Sequence, residues 1–364
     1  MLQPLNAGRL KLKNRVVFPA HQTLLSEDGV VGPRMRAYYA ERAKGGVAAV
    51  VVEGGAVHDT TVKFPNYLWG HKEEIIPSYT ALHKELSQYG CKTIIQLVHS
   101  GGRMSSHDSR LPLWAPSDVR SAISPEIPHA MTTEEISQVL DGYEKSFKNA
   151  VEGGVDGIEI HAAHEYLLGQ FLSPLNNLRT DEYGGSMDNR MRLLNEVVML
   201  ARKTVGDDMV VGIRINGSDL VDASLSNDDY VDVARNIEAL ASVDYLSISA
   251  GTSRDNHMIV PPMDTPEGLY VDYAANIRAA VTLPVMAVGR LKNPELAEEV
   301  IATGKADVVA QARALIADPY WVRKLEDKSP QQIRPCIGCN QGCFGYLYTN
   351  RPITCAVNPA VGHE

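Results

Sequence analysis

Residues 133–160 read TEEISQVLDGYEKSFKNAVEGGVDGIEI, a helical pattern that gives way to a strand. Thr133 can cap a helix in which Ile136, Leu140, Tyr143, Phe147 and Ala150 recur on one face. The run 157–160 that follows is apolar and too short for a helix. The same unit repeats along the chain, with strand candidates at 15–18, 48–52, 93–97, 157–160, 210–215, 245–249, 285–288 and 307–310. Strands apolar almost throughout suit a parallel sheet buried on both faces. Eight β-α alternations over about 320 residues predict an α/β fold, a (β/α)8 TIM barrel with two longer rim loops at 101–131 and 161–192. A doubly wound sheet is the alternative, but no G-x-G-x-x-G follows the first strand, where a dinucleotide fold would place it.

The chain has 364 residues, 44% of them hydrophobic, ample for a large core. Its net charge of −9 excludes the basic surface that nucleic acid requires. No apolar run approaches the ~20 residues of a membrane span, and the first dozen residues lack signal-peptide order. A cytoplasmic protein without membrane or nucleic-acid partners is expected.

Four of the five cysteines crowd the end of the chain: Cys336, Cys339, Cys343 and Cys355, in the order C-x2-C-x3-C-x11-C. Four thiolates near Gly338 and Gly342 can converge on zinc or an iron–sulfur cluster. Zinc more often takes two C-x2-C pairs, whereas three close cysteines plus a distant one, with Pro359 soon after, favour [4Fe–4S]. A disulfide is the competing reading, set against a reducing compartment. The division expected is a barrel over 1–330 and a cluster segment over 331–364. Cys91 reads as a small buried hydrophobe.

In a barrel of this kind the active site lies at the C-terminal ends of the strands. Read there, the chain offers Pro19, Ala20 and His21, then Gly54, Gln96, His161 with His164, Arg214, Gly289 with Arg290, and Ala312 with Arg313. Glycines beside arginines suit a phosphate. Gln96 and Arg214 offer an amide and a fixed cation to a planar heterocycle, and two histidines three apart can donate to one oxygen.

The segment His161-Ala162-Ala163-His164-Glu165-Tyr166-Leu167-Leu168 continues through Gln170-Phe171-Leu172-Ser173-Pro174 to Arg179-Thr180-Asp181-Glu182-Tyr183-Gly184-Gly185-Ser186 and Asn189-Arg190. With Lys13-Asn14-Arg15 and Tyr38-Tyr39-Ala40-Glu41-Arg42, it resembles the signature of the Old Yellow Enzyme family across the whole chain. The terminal cysteines resemble the branch with 2,4-dienoyl-CoA reductase and trimethylamine dehydrogenase, which carries FMN in the barrel and a [4Fe–4S] cluster beside it.

By that resemblance FMN contacts Pro19, Ala20, His21, Gly54 and Gln96, with Arg214 near the N1/O2 edge of the ring. Its phosphate lies against Gly289, Arg290, Ala312 and Arg313, although the family often has Gly where Ala312 stands. His161 and His164 bind the substrate carbonyl, and Tyr166 is the proton donor to the α-carbon. His257 resembles, in approximate position, a histidine that assists this tyrosine.

Relatives in the branch continue into a second half that binds FAD or ADP and, in the reductases, NAD(P)H. The resemblance therefore implies that FAD and NAD(P)H act here only through a further domain or partner subunit, or that an electron-transfer protein serves instead. A homo-oligomer acting on a small-molecule substrate is expected. The favoured activity is an NADH:flavin oxidoreductase, ene-reductase-like, that reduces an activated C=C bond in an enone, enoate or dienoyl thioester. Its rival is an amine dehydrogenase or N-demethylase, for which the branch has Tyr in place of His161 and an aromatic bowl. A non-catalytic electron-transfer subunit is the third reading, against which His161, His164 and Tyr166 speak.

Overall fold

The computed structural model describes residues 1–61, 66–107 and 109–364. Eight parallel strands close a barrel: β1 (Val16–Phe18), β2 (Ala49–Ala56), β3 (Lys92–Val98), β4 (Gly157–His161), β5 (Val210–Asn216), β6 (Tyr245–Ser249), β7 (Val285–Ala287) and β8 (Val308–Ala310). Their order around the barrel is their order in the chain, and β8 pairs with β1 through Val309 and Val16. Each strand is covered by a helix, α1 (Pro33–Lys44), α2 (Ile76–Ser87), α3 (Thr133–Glu152), α4 (Met187–Val205), α5 (Asn227–Ala239), α6 (Val271–Ala280), α7 (Pro294–Ala302) and α8 (Ala312–Ala317).

The α3 helix starts as the periodicity predicts, but its cap is Thr132, one residue earlier than Thr133. The Thr132 hydroxyl accepts from Glu135 N–H while the Glu135 carboxylate accepts from Thr132 N–H, so each satisfies a backbone donor of the first turn. Ile136, Tyr143, Phe147 and Ala150 are buried against the barrel.

The strand β2 runs four residues past its expected end at 52. Its pairing with β3 shifts between Val52 and Gly55, an irregularity that turns Glu53 and Gly54 at the rim. An antiparallel hairpin, Leu5–Ala7 with Leu10–Leu12, closes the opposite end of the barrel. Leu10 and Leu12 pack there with Val17, Ile94, Val210 and Met286. Inside the barrel Gln96, Glu159, Gly212 and Tyr245 are register neighbours. A Cβ on Gly212 would lie 2.1 Å from the Tyr245 ring, so only glycine lets that ring cross the interior.

From 331 onward the chain holds only two short 3-10 turns, Pro330–Gln332 and Gly345–Thr349, and is tied to the barrel by polar contacts. Ile353 N–H donates to Thr23 O at 2.8 Å, Asn358 Nδ2 to Ile316 O at 3.1 Å, and Arg42 to the Glu364 carboxylate. No described helix is long and apolar enough to cross a membrane.

Candidate functional site

A cavity of about 530 Å³ opens at the C-terminal ends of the strands. Pro19, Ala20, His21, Gly54, Gln96, Arg214, Gly289, Arg290, Ala312 and Arg313 all line it, together with His161, His164 and Tyr166. Parallel strands explain this convergence, because every residue that follows a strand end returns to the same rim.

The floor is held from below. Gln96 Nε2 donates to Glu159 Oε1 at 2.7 Å, and Tyr245 donates to Glu159 Oε2 at 2.9 Å. Burial pushes the Glu159 carboxyl up, while the Arg214 guanidinium pulls it down. With its amide nitrogen bonded to Glu159, Gln96 keeps Oε1 near Gly54, where an added Cβ would lie 3.5 Å from it and 2.7 Å from Val98. Glycine at 54 thus keeps this wall low. His21 Nδ1 is 2.9 Å from Pro19 O, so it is the protonated nitrogen, and Nε2 lies 2.7 Å from the Tyr38 hydroxyl. Burial brings the His21 imidazole down to about 4, which keeps it neutral.

On the facing wall, the His161 and Tyr166 rings meet edge-on at 4.7 Å and the two histidine rings at 5.1 Å. The turn between them carries positive φ at His164 (59°) and Glu165 (60°), a strained geometry for residues with side chains. Asn216 Oδ1 holds it by accepting from His164 N–H at 3.2 Å, and Glu165 Oε2 by accepting from Ser253 N–H at 2.7 Å. His161 Nδ1 accepts from Ala163 N–H at 3.2 Å, so the neutral ring carries its proton on Nε2. Burial, then Arg214, His161 and Arg103, hold the His164 imidazole well below its usual value.

At the far end Gly289 and Arg290 both have positive φ (125° and 57°), a sharp turn after β7. The two arginines clasp the neighbouring loop: Arg313 Nη1 donates to Pro261 O and to Asn340 Oδ1, both at 2.7 Å, and Arg290 donates to Pro262 O. Around the cavity Arg214 Nη1, Gln311 Oε1 and Arg290 Nε are buried without a hydrogen-bond partner. Orphaned polar atoms at both ends fit a polar ring at one end and an anion at the other.

His257 does not join this group. It sits on the single helical turn Asn256–Ile259, its side chain 66% exposed and its Nδ1 2.8 Å from Asp255 Oδ1. Arg103 stands beside Tyr166 instead, its Cζ 4.8 Å from the ring centroid. Arg103, which lines the cavity, and Ser249, which bonds His164 and Arg214 behind it, were passed over by the strand-end reading. Arg103 ends the short turn Gly101–Arg103, which His99 and Ser100 separate from β3, and Ser249 is the last residue of β6.

Cys336, Cys339, Cys343 and Cys355 surround a second, small cavity of about 20 Å³. Burial pushes the Cys343 thiol up to about 12, and the other three cysteines add to that. Among the described residues, no group of three or more His, Cys, Asp or Glu side chains is drawn in tightly enough to hold a metal ion. The thiols ring a space rather than a point. Cys336 and Cys343 also line the large cavity, which joins the two sites. Cys91 is buried, its thiol pushed up to about 12 by desolvation.

Residues 1–332 match the NADH:flavin oxidoreductase / NADH oxidase family. A metal reductase of Desulforamulus reducens is 34% identical over 364 residues, which is all of this chain and 54% of that protein. Among solved structures, a 2-naphthoyl-CoA reductase in complex with 2-naphthoyl-CoA superposes with a TM-score of 0.95 at 30% identity, covering 99% of this chain and 57% of the other. Histamine dehydrogenase of Rhizobium sp. 4-9 gives 0.89 at 26% identity, covering 100% and 52%. The chain spans about half the length of each of these relatives.

Proposed function

The chain belongs to the NADH:flavin oxidoreductase / NADH oxidase family, and from that membership we propose that it reduces the activated C=C bond of an unsaturated carbonyl compound. The reading takes FMN, the flavin of the family, in the barrel, and a [4Fe–4S] cluster on Cys336, Cys339, Cys343 and Cys355. Electrons come from NAD(P)H through a partner domain or subunit. The observation that carries it is the lining of the large cavity. Among the described residues it holds Arg103, Arg214, Arg290, Lys292 and Arg313 and no Asp or Glu. Such a site favours an oxygen that gains negative charge and disfavours an ammonium.

Bound FMN supplies hydride transfer. Pro19, Ala20, His21, Gly54 and Gln96 bind its ring, Arg214 sets a cation beside it, and Gly289, Arg290, Ala312 and Arg313 take its phosphate. His161 Nε2–H and a ring N–H of His164 donate to the substrate carbonyl oxygen and draw charge away from the double bond. The Tyr166 phenol, with His161 edge-on to its ring and Arg103 over it, gives its proton to the α-carbon. His257, exposed and paired with Asp255, has no part in this step. For the cluster, the support is the ring of four thiols around one cavity and its contact with the flavin cavity. That ring suits a polynuclear group better than a single zinc ion.

The likeness to histamine dehydrogenase keeps amine oxidation as the second reading. An anaerobic titration followed at the flavin absorbance separates the two. Photoreduced protein is offered enones and enoates, and oxidised protein is offered N-methylated amines. Reoxidation by the first panel with no response to the second is the expected result. Bleaching by amines overturns the proposal.

A further inference from the structure

Among the described residues, the hydrogen-bond partners of the buried Arg103 guanidinium are neutral. Arg103 is 5% exposed and lines the cavity on the side of His164 and Tyr166. Nη1 donates to the backbone oxygen of His164 at 2.6 Å and Nη2 to Asn256 Oδ1 at 2.8 Å. Nε has no hydrogen-bond partner, and the guanidinium lies over the Tyr166 ring. The other cations of the cavity are differently placed. Arg214 has Glu159 nearby, Lys292 pairs with Glu267 at 3.2 Å, and Arg290 and Arg313 are turned to the 261–262 loop at the far end. A buried guanidinium is costly without a carboxylate, and among the described residues none is paired with Arg103, so a bound anion can supply the compensating charge.

Asn256 makes such an exchange feasible. Its Nδ2 donates to the Tyr348 hydroxyl at 2.6 Å, so the amide stays anchored when Nη2 is taken by another acceptor. The amide oxygen is a neutral stand-in for a carboxylate oxygen, which guanidinium binds more strongly and in paired geometry.

We infer that Arg103 determines specificity by receiving a carboxylate carried by the substrate, so that the compound reduced is an unsaturated acid and not a neutral enone. The inference rests on the reductase reading and narrows its substrate class.

The test compares cinnamate, its methyl ester and its coenzyme A thioester as ligands of the FMN-loaded protein, with binding read from the flavin absorbance. Wild type is expected to prefer the acid. Arg103→Gln should weaken the acid by about 10- to 100-fold and the ester by less than about 3-fold, with partial recovery in Arg103→Lys. Asn256→Ala, which removes the amide and leaves the charge, should keep the preference for the acid. Equal weakening of acid and ester in Arg103→Gln, or of neither, overturns the inference, as does weakening confined to the thioester, whose phosphates would then be the anion bound. Acid binding that depends on Arg103 without reoxidation of photoreduced flavin by any of the three leaves the carboxylate assignment standing and removes the reductase reading.

Discussion

His164 Nε2 and Ser249 Oγ lie 2.6 Å apart, and the same serine oxygen accepts from Arg214 Nη2 at 3.1 Å. The arginine takes one acceptor site of the serine, and the arrangement in which the serine hydrogen goes to His164 Nε2 leaves the histidine its proton on Nδ1. The last residue of β6 thereby links the cation of the floor to the histidine of the wall. His161 is fixed in the opposite tautomer by Ala163 N–H. The two rings are thus held by two separate local contacts.

Replacing this serine tests the tautomer. In Ser249→Ala the long-range proton–nitrogen correlations of labelled histidine should show His164 losing its fixed Nδ1–H form, and Ser249→Thr should restore it. The kcat/KM for an unsaturated carbonyl substrate should fall about tenfold, the worth of one hydrogen bond. An unchanged His164 spectrum would remove Ser249 from this role.

The bulge in β2 buries a carboxyl that gives the fold a pH dependence. Glu53 accepts from Gln22 Nε2 at 2.7 Å, from Thr23 N–H at 2.9 Å and from the Thr23 hydroxyl, yet burial still pushes it up to about 8. Its folded value lies above its unfolded one, so its contribution to stability is complete below about 4.5 and is lost as pH rises to about 8. His21 acts in the opposite sense and lower, losing stability as pH falls from 6.5 to about 4. Above pH 6.5 the His21 effect no longer opposes that of Glu53. Thermal unfolding of Glu53→Gln should gain on wild type from pH 6.5 to about 8, by up to a few kcal/mol, and then level off. A constant difference from pH 5 to 9 would contradict the burial-driven shift.

The barrel was legible in the sequence because a strand buried on both faces is an unbroken apolar run, and 245–249 matches β6 residue for residue. The continuation of β2 through Glu53-Gly54-Gly55 was not, since paired glycines read as a loop where the pairing shifts instead. The hairpin at 5–12 escaped because its strands have three residues each. Of the site, residues that directly follow strands could be found by position alone. Arg103 was hidden at the head of a long rim loop, and its turn back over Tyr166 depends on His164 and Asn256, which are distant in the chain. His257 shows the converse. Its place after β6 suggested a partner for Tyr166, but a one-turn helix points it outward to Asp255.

The cysteine segment carries its own test. If the four thiols hold [4Fe–4S], protein reconstituted with iron and sulfide should bind about four of each and show a broad visible absorption beneath the flavin bands. Cys343→Ala should abolish that absorption and the iron content while leaving FMN bound. Stoichiometric zinc in purified protein, with no gain of colour on reconstitution, would assign the site to zinc.

Arg42 and Glu364 form an ion pair buried on both sides, with side chains 0% and 6% exposed. The guanidinium lies 3.8 Å from the Tyr38 ring centroid and donates to Tyr38 O at 2.7 Å, and the Tyr38 hydroxyl reaches His21 on the cavity wall. The pair therefore sits directly behind the proposed flavin site and ties residue 364 to α1. Removing one partner leaves a charge in the core, so Glu364→Ala should cost about 3–5 kcal/mol in urea unfolding followed by the buried Trp114 and Trp321. Replacing both, as Arg42→Met with Glu364→Leu, should cost clearly less than Glu364→Ala alone, because no charge is then stranded. If the double variant is no more stable than Glu364→Ala, Arg42 supports the fold through its contacts with Tyr38 and Phe18 and not through the pair.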